Sequence, residues 1–145
     1  MDFVLNIKIQ TENTSETAEF EKKEWNLVNI EHYGKSVDFE KKRYKFVARD
    51  ETEEIVAVLD LMLQADVASV ENLIVSLKCR KQGIGRRLIE EAEKFAQKNN
   101  CRKIWLGTGE NWESVKFYKK LGYSVTGIQA KHFLEQNRLI LEKFL

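Results

Sequence analysis

A change of hydrophobic period near Gly83 and Gly85 constrains the fold of this chain more than any other feature. Before it, residues 70–77 are almost continuously apolar, which is typical of a strand buried on both faces. After it, apolar residues recur at steps of three and four, as on the buried face of an amphipathic helix: Ile84, Leu88, Ile89, Ala92, Phe95 and Ala96. A strand that passes through a glycine turn into such a helix predicts an α/β fold.

Strand and helix patterns alternate along the rest of the chain. Strands are predicted at residues 3–9, 42–49, 54–63, 103–106, 123–130 and 137–144. Helices are predicted after the capping stretch TENTSET as far as about Tyr33, and over residues 111–121, where Gly122 ends the helix. The order β-α-ββ-β-α-β-α-ββ predicts a mixed sheet with helices packed on it.

Length and charge narrow the classes of function. The chain has 145 residues, the size of one domain, and 24 basic against 23 acidic side chains. This balance argues against a nucleic-acid-binding protein, which needs an excess of Lys and Arg. Cys79 and Cys101 form no zinc or redox motif, and two lone thiols favour a reducing compartment. Without a leader pattern or an apolar run of about 18 residues, we expect a cytoplasmic protein with no membrane interaction and no metal site.

The glycine turn RKQGIGRR, residues 80–87, is a candidate anion site. Amide groups in such a turn and in the first helical turn point at one spot, where the helix dipole adds positive charge. No acidic residue lies between positions 78 and 87, and the segment carries these cations: Lys78, Arg80, Lys81, Arg86 and Arg87. A Walker nucleotide loop and a dinucleotide-binding turn are excluded, because their glycine spacings are absent. The expected ligand is a phosphate compound; the alternative is a tight turn with solvated cations.

Two segments resemble the GCN5-related N-acetyltransferases, the GNAT family. VSLKCRKQGIG, residues 75–85, fits that family's pattern of Arg or Gln followed by xxGxG after a strand. NWESVKFYKKLGY, residues 111–123, is similar to the family's later N-x-x-A-x-x-F-Y-x-x-x-G-Y segment, with Ser114 in place of the usual alanine, a change we expect to be harmless. The likeness is close over residues 70–125. It implies a single GNAT domain over residues 1–145, with a mixed six- to seven-stranded sheet and helices on both faces.

The resemblance also implies a site for acetyl-CoA. The loop that holds the pyrophosphate would consist of Arg80, Lys81, Gln82, Gly83, Ile84, Gly85 and Arg86. The backbone of Leu73 and Val75 would pair with the pantetheine arm, and one of their amides would stabilise the oxyanion. The Asn111 side chain would bind the same arm, and Tyr118 would protonate the departing thiolate. Both are expected on one helix, about two turns apart; by periodicity alone, Tyr118 is a core aromatic.

Glu71 is the sequence's best candidate for the base that deprotonates the amine, because a glutamate inside an apolar strand is out of place unless it is paired or functional. The alternative is that Glu71 forms a salt bridge. In that case Ser69, Asp66 or Asp60 would take the proton of the amine through ordered waters. Family members that acetylate protein N-termini often have a glutamate at the end of the following strand, where this chain has Leu106 or Gly107.

The resemblance therefore implies direct transfer of acetyl from acetyl-CoA to the primary amine of a small molecule. The alternatives are a CoA-binding module without catalytic activity and a protein or peptide N-acetyltransferase. The sequence is also compatible with a homodimer. Trp25 and Tyr33 on the first helix are candidates to line the amine site. Neither His32 nor His132 receives a role.

Overall fold

The computed structural model describes residues 6–145, and the chain divides into two compact units, Met1–Asp38 and Phe39–Leu145. The first unit contains helix α1, Ser15–Tyr33. Thr14 begins it with a capping box, in which its side chain accepts from the Thr17 amide, and Gly34 ends it in a left-handed conformation. Of the strand predicted at residues 3–9, residues 3–5 lie outside the described residues, and residues 6–9 form no strand.

The second unit is built on one six-stranded mixed sheet with the order β1-β2-β3-β4-β6-β5. Its strands are β1 Lys42–Arg49, β2 Ile55–Gln64, β3 Val67–Val75, β4 Lys103–Gly109, β5 Ser124–Gln129 and β6 Arg138–Phe144. Only β3 and β4 run parallel to each other among these neighbours. Helices α2, Ile84–Lys98, and α3, Ser114–Lys120, follow β3 and β4. The predicted mixed sheet and the predicted antiparallel pair at its C-terminal end are confirmed.

The core lies between one face of this sheet and α2, and we call this face of the sheet the core face. The predicted stripe of α2 is confirmed, since Leu88, Ile89, Ala92 and Ala96 are buried in the same cluster as the inward side chains of the strands. Phe95 packs edge-on against the rings of Tyr44 and Phe46 on β1. No helix within residues 6–145 is both long enough and apolar enough to span a membrane.

Two predictions about these elements are wrong. The strand over residues 70–77 is not buried on both faces, because Glu71, Asn72 and Ile74 are exposed. Most of this apolar run lies beyond Val70, where β3 no longer pairs with β4. The helix predicted over residues 111–121 begins at Ser114. Asn111 lies in the turn before it, where the Trp112 amide donates to the carbonyl of Gly109 at 3.1 Å.

Candidate active site

Strands β3 and β4 diverge part-way along their length. They pair in parallel from Val67 with Lys103 to Val70 with Leu106, and the described strands pair no further with each other. Glu71 and Gly107 are therefore the first residues on the two arms of an opening, which we call the cleft: residues 71–75 on one side and 107–109 on the other. An opening between two central strands exposes backbone groups that a sheet otherwise satisfies.

A β-bulge at Glu71 accompanies this divergence. Asp60 on β2 lies opposite Asn72, and Leu61 lies opposite Val70, so that Glu71 is the extra residue on β3. A bulge bends its strand and increases the local twist, and bulges are common next to active sites. The bend turns the C-terminal half of β3 away from β4.

The register of β2 and β3 shows where the backbone of the cleft points. The Ser76 amide donates to the Val56 carbonyl at 2.8 Å, and hydrogen-bonded pairs alternate along an antiparallel ladder. Leu73 and Val75 are therefore at the positions whose N–H and C=O groups point away from β2, into the cleft. The Val75 carbonyl accepts a hydrogen bond from Nε of Arg80 at 3.1 Å.

The glycine turn places the N-terminus of α2 at the end of β3. Gly83 has a φ of +82°, which favours glycine, and it precedes the first helical residue. The first hydrogen bond of the helix runs from Arg87 to the Gly83 carbonyl at 3.1 Å, so the amides of Ile84, Gly85 and Arg86 have no acceptor within the helix. Free amides and the helix dipole make this end of α2 suited to an anion.

Gly85 joins three elements at this point. A Cβ there would lie 3.4 Å from Cζ of Phe117 on α3 and 3.7 Å from Cγ2 of Val75 on β3. The missing side chain lets α2 begin close against both elements. Among the described residues, Arg86 contacts Glu90 at 2.8 Å, whereas Lys81 and Arg87 form no ion pair. The anion site therefore combines free amides with positive charge.

Tyr118, which is predicted to protonate the departing thiolate, is also an aromatic residue of the core. It is 7% exposed and belongs to the core cluster. Its ring packs edge-on against Phe117 and Tyr123, at centroid distances of 5.0 and 5.6 Å. Burial raises the pKa of Tyr118 to about 12, so the phenol is protonated at neutral pH.

Glu71 lies on the sheet face opposite the core face, which we call the open face. Its Oε2 is 3.3 Å from Nε of Arg43, so the salt bridge given as the alternative to its catalytic role is present. Asp60 lies on the same face, where a hydrogen bond from Lys45 lowers the pKa of its carboxyl. Asp66 lies in the turn before β3, at the far end from the cleft, and pairs with Arg102 at 2.6 Å.

A family model of the acetyltransferase (GNAT) family matches residues 7–123. This chain belongs to the GNAT family. An uncharacterised N-acetyltransferase of Methanocaldococcus jannaschii is 37% identical over 60 residues, which are 40% of this chain and 26% of that protein. The GNAT chain thus spans about a quarter of the length of this curated relative.

Solved structures share the GNAT fold with this chain. A crystal structure of an acetyltransferase from Bacillus cereus superposes with a TM-score of 0.75 at 24% identity, covering 95% of this chain and 98% of that one. An aminoglycoside 6'-N-acetyltransferase, solved in complex with coenzyme A, has a TM-score of 0.65 at 21% identity, covering 70% of this chain and 72% of that one. These identities establish the fold, whereas the acceptor of this GNAT chain has to be argued from its own residues.

Two features of this GNAT site could not be predicted from the sequence. Ser114 does not merely replace alanine, because its hydroxyl shares a hydrogen bond of 2.6 Å with that of Thr108 at the end of β4. Arg138 on β6 lies over Gly107, where an added Cβ would be 2.3 Å from Nε of the guanidinium. A polar residue in place of alanine and a glycine in a strand were the only sequence signals, and neither identifies its partner.

The predicted common helix for Asn111 and Tyr118 is wrong, as α3 begins after Asn111. Asn111 is exposed in the turn that follows β4, whereas Tyr118 is buried in the second turn of the helix. The two-turn separation therefore gives no reason for their side chains to share a direction. Glu71, Leu73 and Val75 lie along one arm of the cleft, and residues 80–86 form the glycine turn at its end.

Proposed function

We propose that this chain transfers the acetyl group of acetyl-CoA to the primary amine of a small molecule. The observation that carries the proposal is the opening between β3 and β4, with the backbone of Leu73 and Val75 directed into it and the free N-terminus of α2 at its end. An extended chain that ends in a phosphate fits these two features together. The pantetheine arm and pyrophosphate of coenzyme A have this form.

The residues present fit such a ligand. Unpaired backbone groups on a strand edge bind an extended partner as an additional strand does. The turn of residues 80–86 offers the amides of the first helical turn to a diphosphate. Arg80 would release its contact with the Val75 carbonyl when that carbonyl takes up an amide of the ligand. When bound, acetyl-CoA supplies an acyl group on a thiolate leaving group.

Glu71 is the proposed general base. An alkyl amine with a pKa near about 10 is protonated at neutral pH, so a proton has to leave it before attack. Glu71 stands on the bulge, at the point where the cleft opens, and its side chain lies on the open face. The proton passes from the amine to the Glu71 carboxylate, the nitrogen forms a bond with the acetyl carbon, and the carbon–sulfur bond breaks.

Tyr118 is the proposed acid for the thiolate. It stays protonated across the neutral range, since burial raises its pKa to about 12. Its neighbour Phe117 contacts Gly85, which places α3 beside the N-terminus of α2. The proton of the phenol passes to the sulfur as the thiolate departs, and the second proton that the nitrogen loses on becoming an amide restores the phenol.

The proposal is tested by measuring thiol release from acetyl-CoA with a panel of polyamines, amino acids, aminoglycosides and short peptides. Acetylated product with small amines supports it. Acetylation of peptides alone would move the assignment to a peptide N-acetyltransferase. Binding of acetyl-CoA without transfer to any amine would leave a CoA-binding module in its place.

A further inference from the structure

Arg138 differs from three cations on the open face that form ion pairs. Arg43 pairs with Glu71, Lys45 with Asp60, and Lys103 with Glu142. The register places Arg138 on this same face, because it lies opposite Gly109, whose neighbour Thr108 faces the core. Within residues 6–145, no carboxylate forms an ion pair with Arg138. Its charge is therefore available to a ligand.

The guanidinium of Arg138 reaches from β6 across β4 towards the cleft. Its Nη2 donates to the Gly107 carbonyl at 3.2 Å. The Glu110 amide bonds to the Asn137 carbonyl, so the alternating ladder makes Thr108 and Leu106 the hydrogen-bonded positions of β4, and the Gly107 carbonyl points away from β6. That direction is the cleft. Only glycine allows this path, since a Cβ at position 107 would collide with the guanidinium.

Phe133 holds the guanidinium from the other side. Its ring centroid is 5.7 Å from Cζ of Arg138, a distance suited to a cation–π contact. The 3₁₀ turn Phe133–Glu135 between β5 and β6 supplies this ring, and Leu134 and Glu135 have left-handed φ values within it. One hydrogen bond and one ring contact hold the guanidinium over Gly107 and leave its other N–H donors unused by the described residues.

We propose that Arg138 binds the carboxylate of the acceptor, and that the acceptor is therefore an amino acid. This inference rests on the proposed function and specifies its substrate. A planar guanidinium with unused N–H donors matches the two oxygens of a carboxylate. Glu71 and Gly107 directly follow the last paired residues of β3 and β4, where neighbouring strands are about 4.8 Å apart. This spacing joins backbones, and the Glu71 carboxylate leans towards Arg43. An acceptor that reaches both groups on the open face carries an amine and a carboxylate on one small molecule, as an amino acid does.

The test compares α-amino acids with their carboxamides, which keep the amine and lose the negative charge. For each pair, the ratio of kcat/KM for the acid to that for the amide is measured in wild type and variants. Comparing ratios between proteins cancels the difference in basicity between the two amines. In Arg138→Gln the ratio should fall by about 10- to 100-fold, the expected loss of a charge-assisted hydrogen-bonded pair. Gly107→Ala, which displaces the guanidinium, should lower it in the same direction.

Arg49→Gln is the matched control. Arg49 also donates to a backbone carbonyl, that of Glu53 at 2.8 Å, but it lies at the end of edge strand β1. Its substitution should leave the ratio at the wild-type value. An Arg138→Gln protein that folds and keeps the wild-type ratio overturns the inference, whereas the transfer activity itself would still stand. Transfer to no amine of either series would overturn the proposed function along with it.

Discussion

Glu71 on β3 forms an ion pair with Arg43 on β1, although β2 lies between the two strands. The Arg43 Nε and Glu71 Oε2 atoms are 3.3 Å apart, and both side chains are well exposed to solvent. The bulge at Glu71 explains how the contact can cross a strand, because it places an extra side chain on the open face. An exposed pair of this kind contributes little to stability, so its carboxylate can be exchanged without unfolding the sheet.

Glu71→Gln should lower kcat by about 10²-fold at neutral pH, because a neutral amide cannot take the proton of the amine. It should also remove the acidic limb of the pH–rate profile, while the Kd for acetyl-CoA stays at the wild-type value. Steady-state kinetics from pH 5 to 9 and calorimetry make the comparison. Asp60→Asn is the matched control on the same face. If Asp60→Asn abolishes the acidic limb and Glu71→Gln does not, the base is Asp60.

Gly83→Val should weaken acetyl-CoA binding by at least about 10-fold. A Cβ at Gly83 meets nothing within 4 Å, so the damage comes from its φ of +82°, which a β-branched residue adopts only at high cost. A shift of this residue moves the free amides of α2. Lys81→Ala should weaken binding less, and rising salt should weaken binding in the wild type. Calorimetry that finds equal affinity in wild type and Gly83→Val contradicts the role of the turn.

Ser114→Ala should destabilise the protein, although it restores the residue usual in the family. The Thr108 side chain is buried and its hydroxyl shares a 2.6 Å hydrogen bond with that of Ser114. Its loss should cost about 1 kcal/mol in the free energy of unfolding, because Thr108 is left without this partner. Urea unfolding measures the change. The double variant with Thr108→Val serves as the control, since it removes both polar groups and should recover part of the loss.

Much of the fold could be predicted from local patterns alone. The spacing from Ile84 to Ala96 describes the buried face of α2, and alternating strands describe the two hairpins. The divergence of β3 and β4 could not be predicted, because the bulge that accompanies it depends on how β3 pairs with β2. In the sequence, Glu71 is only one charged residue in an apolar run and gives no sign of a bulge. The start of α3 could not be predicted either, because residues 109–112 form a turn, in which the Trp112 amide donates to the Gly109 carbonyl and the Trp112 ring lies close to Gly109.

The candidate site divides in the same way. The glycine turn could be located because Gly83 and Gly85 lie close in sequence to the helix that they begin. Arg138 could not be located in this way, because its role depends on Gly107, which is 31 residues away in the sequence, and on the direction of the Gly107 carbonyl group. Contacts set by strand register are invisible to a reading of neighbouring residues.

The buried tyrosines should make the fold sensitive to alkaline pH. Burial raises the pKa of Tyr118 from 10.0 to about 12, and burial together with the nearby Glu93 carboxylate raises that of Tyr123. Above pH 10 the unfolded chain loses these protons first, so the free energy of unfolding falls as the pH rises. For Tyr118 the loss is complete near pH 12 and amounts to roughly 3 kcal/mol.

Urea unfolding between pH 8 and 11 measures this slope. Tyr118→Phe and Tyr123→Phe should each make it shallower, because each removes one group that the fold keeps protonated. The Tyr123 hydroxyl is buried and has no hydrogen-bond partner among the described residues, so its removal should not destabilise the protein at pH 8. Identical slopes in wild type and both variants would contradict the assignment of the effect to these phenols.

Tyr118→Phe also tests the acid of the reaction. It keeps the ring that packs against Phe117 and Tyr123 and removes only the hydroxyl. Turnover should fall by about 10- to 10³-fold, because the thiolate must leave without a donated proton, and the Kd for acetyl-CoA should change little. The melting temperature at neutral pH should stay within a few degrees of wild type. Tyr123→Phe, which loses a neighbouring hydroxyl, should keep wild-type turnover. A Tyr118→Phe protein that turns over normally and melts much earlier would make Tyr118 a core residue alone.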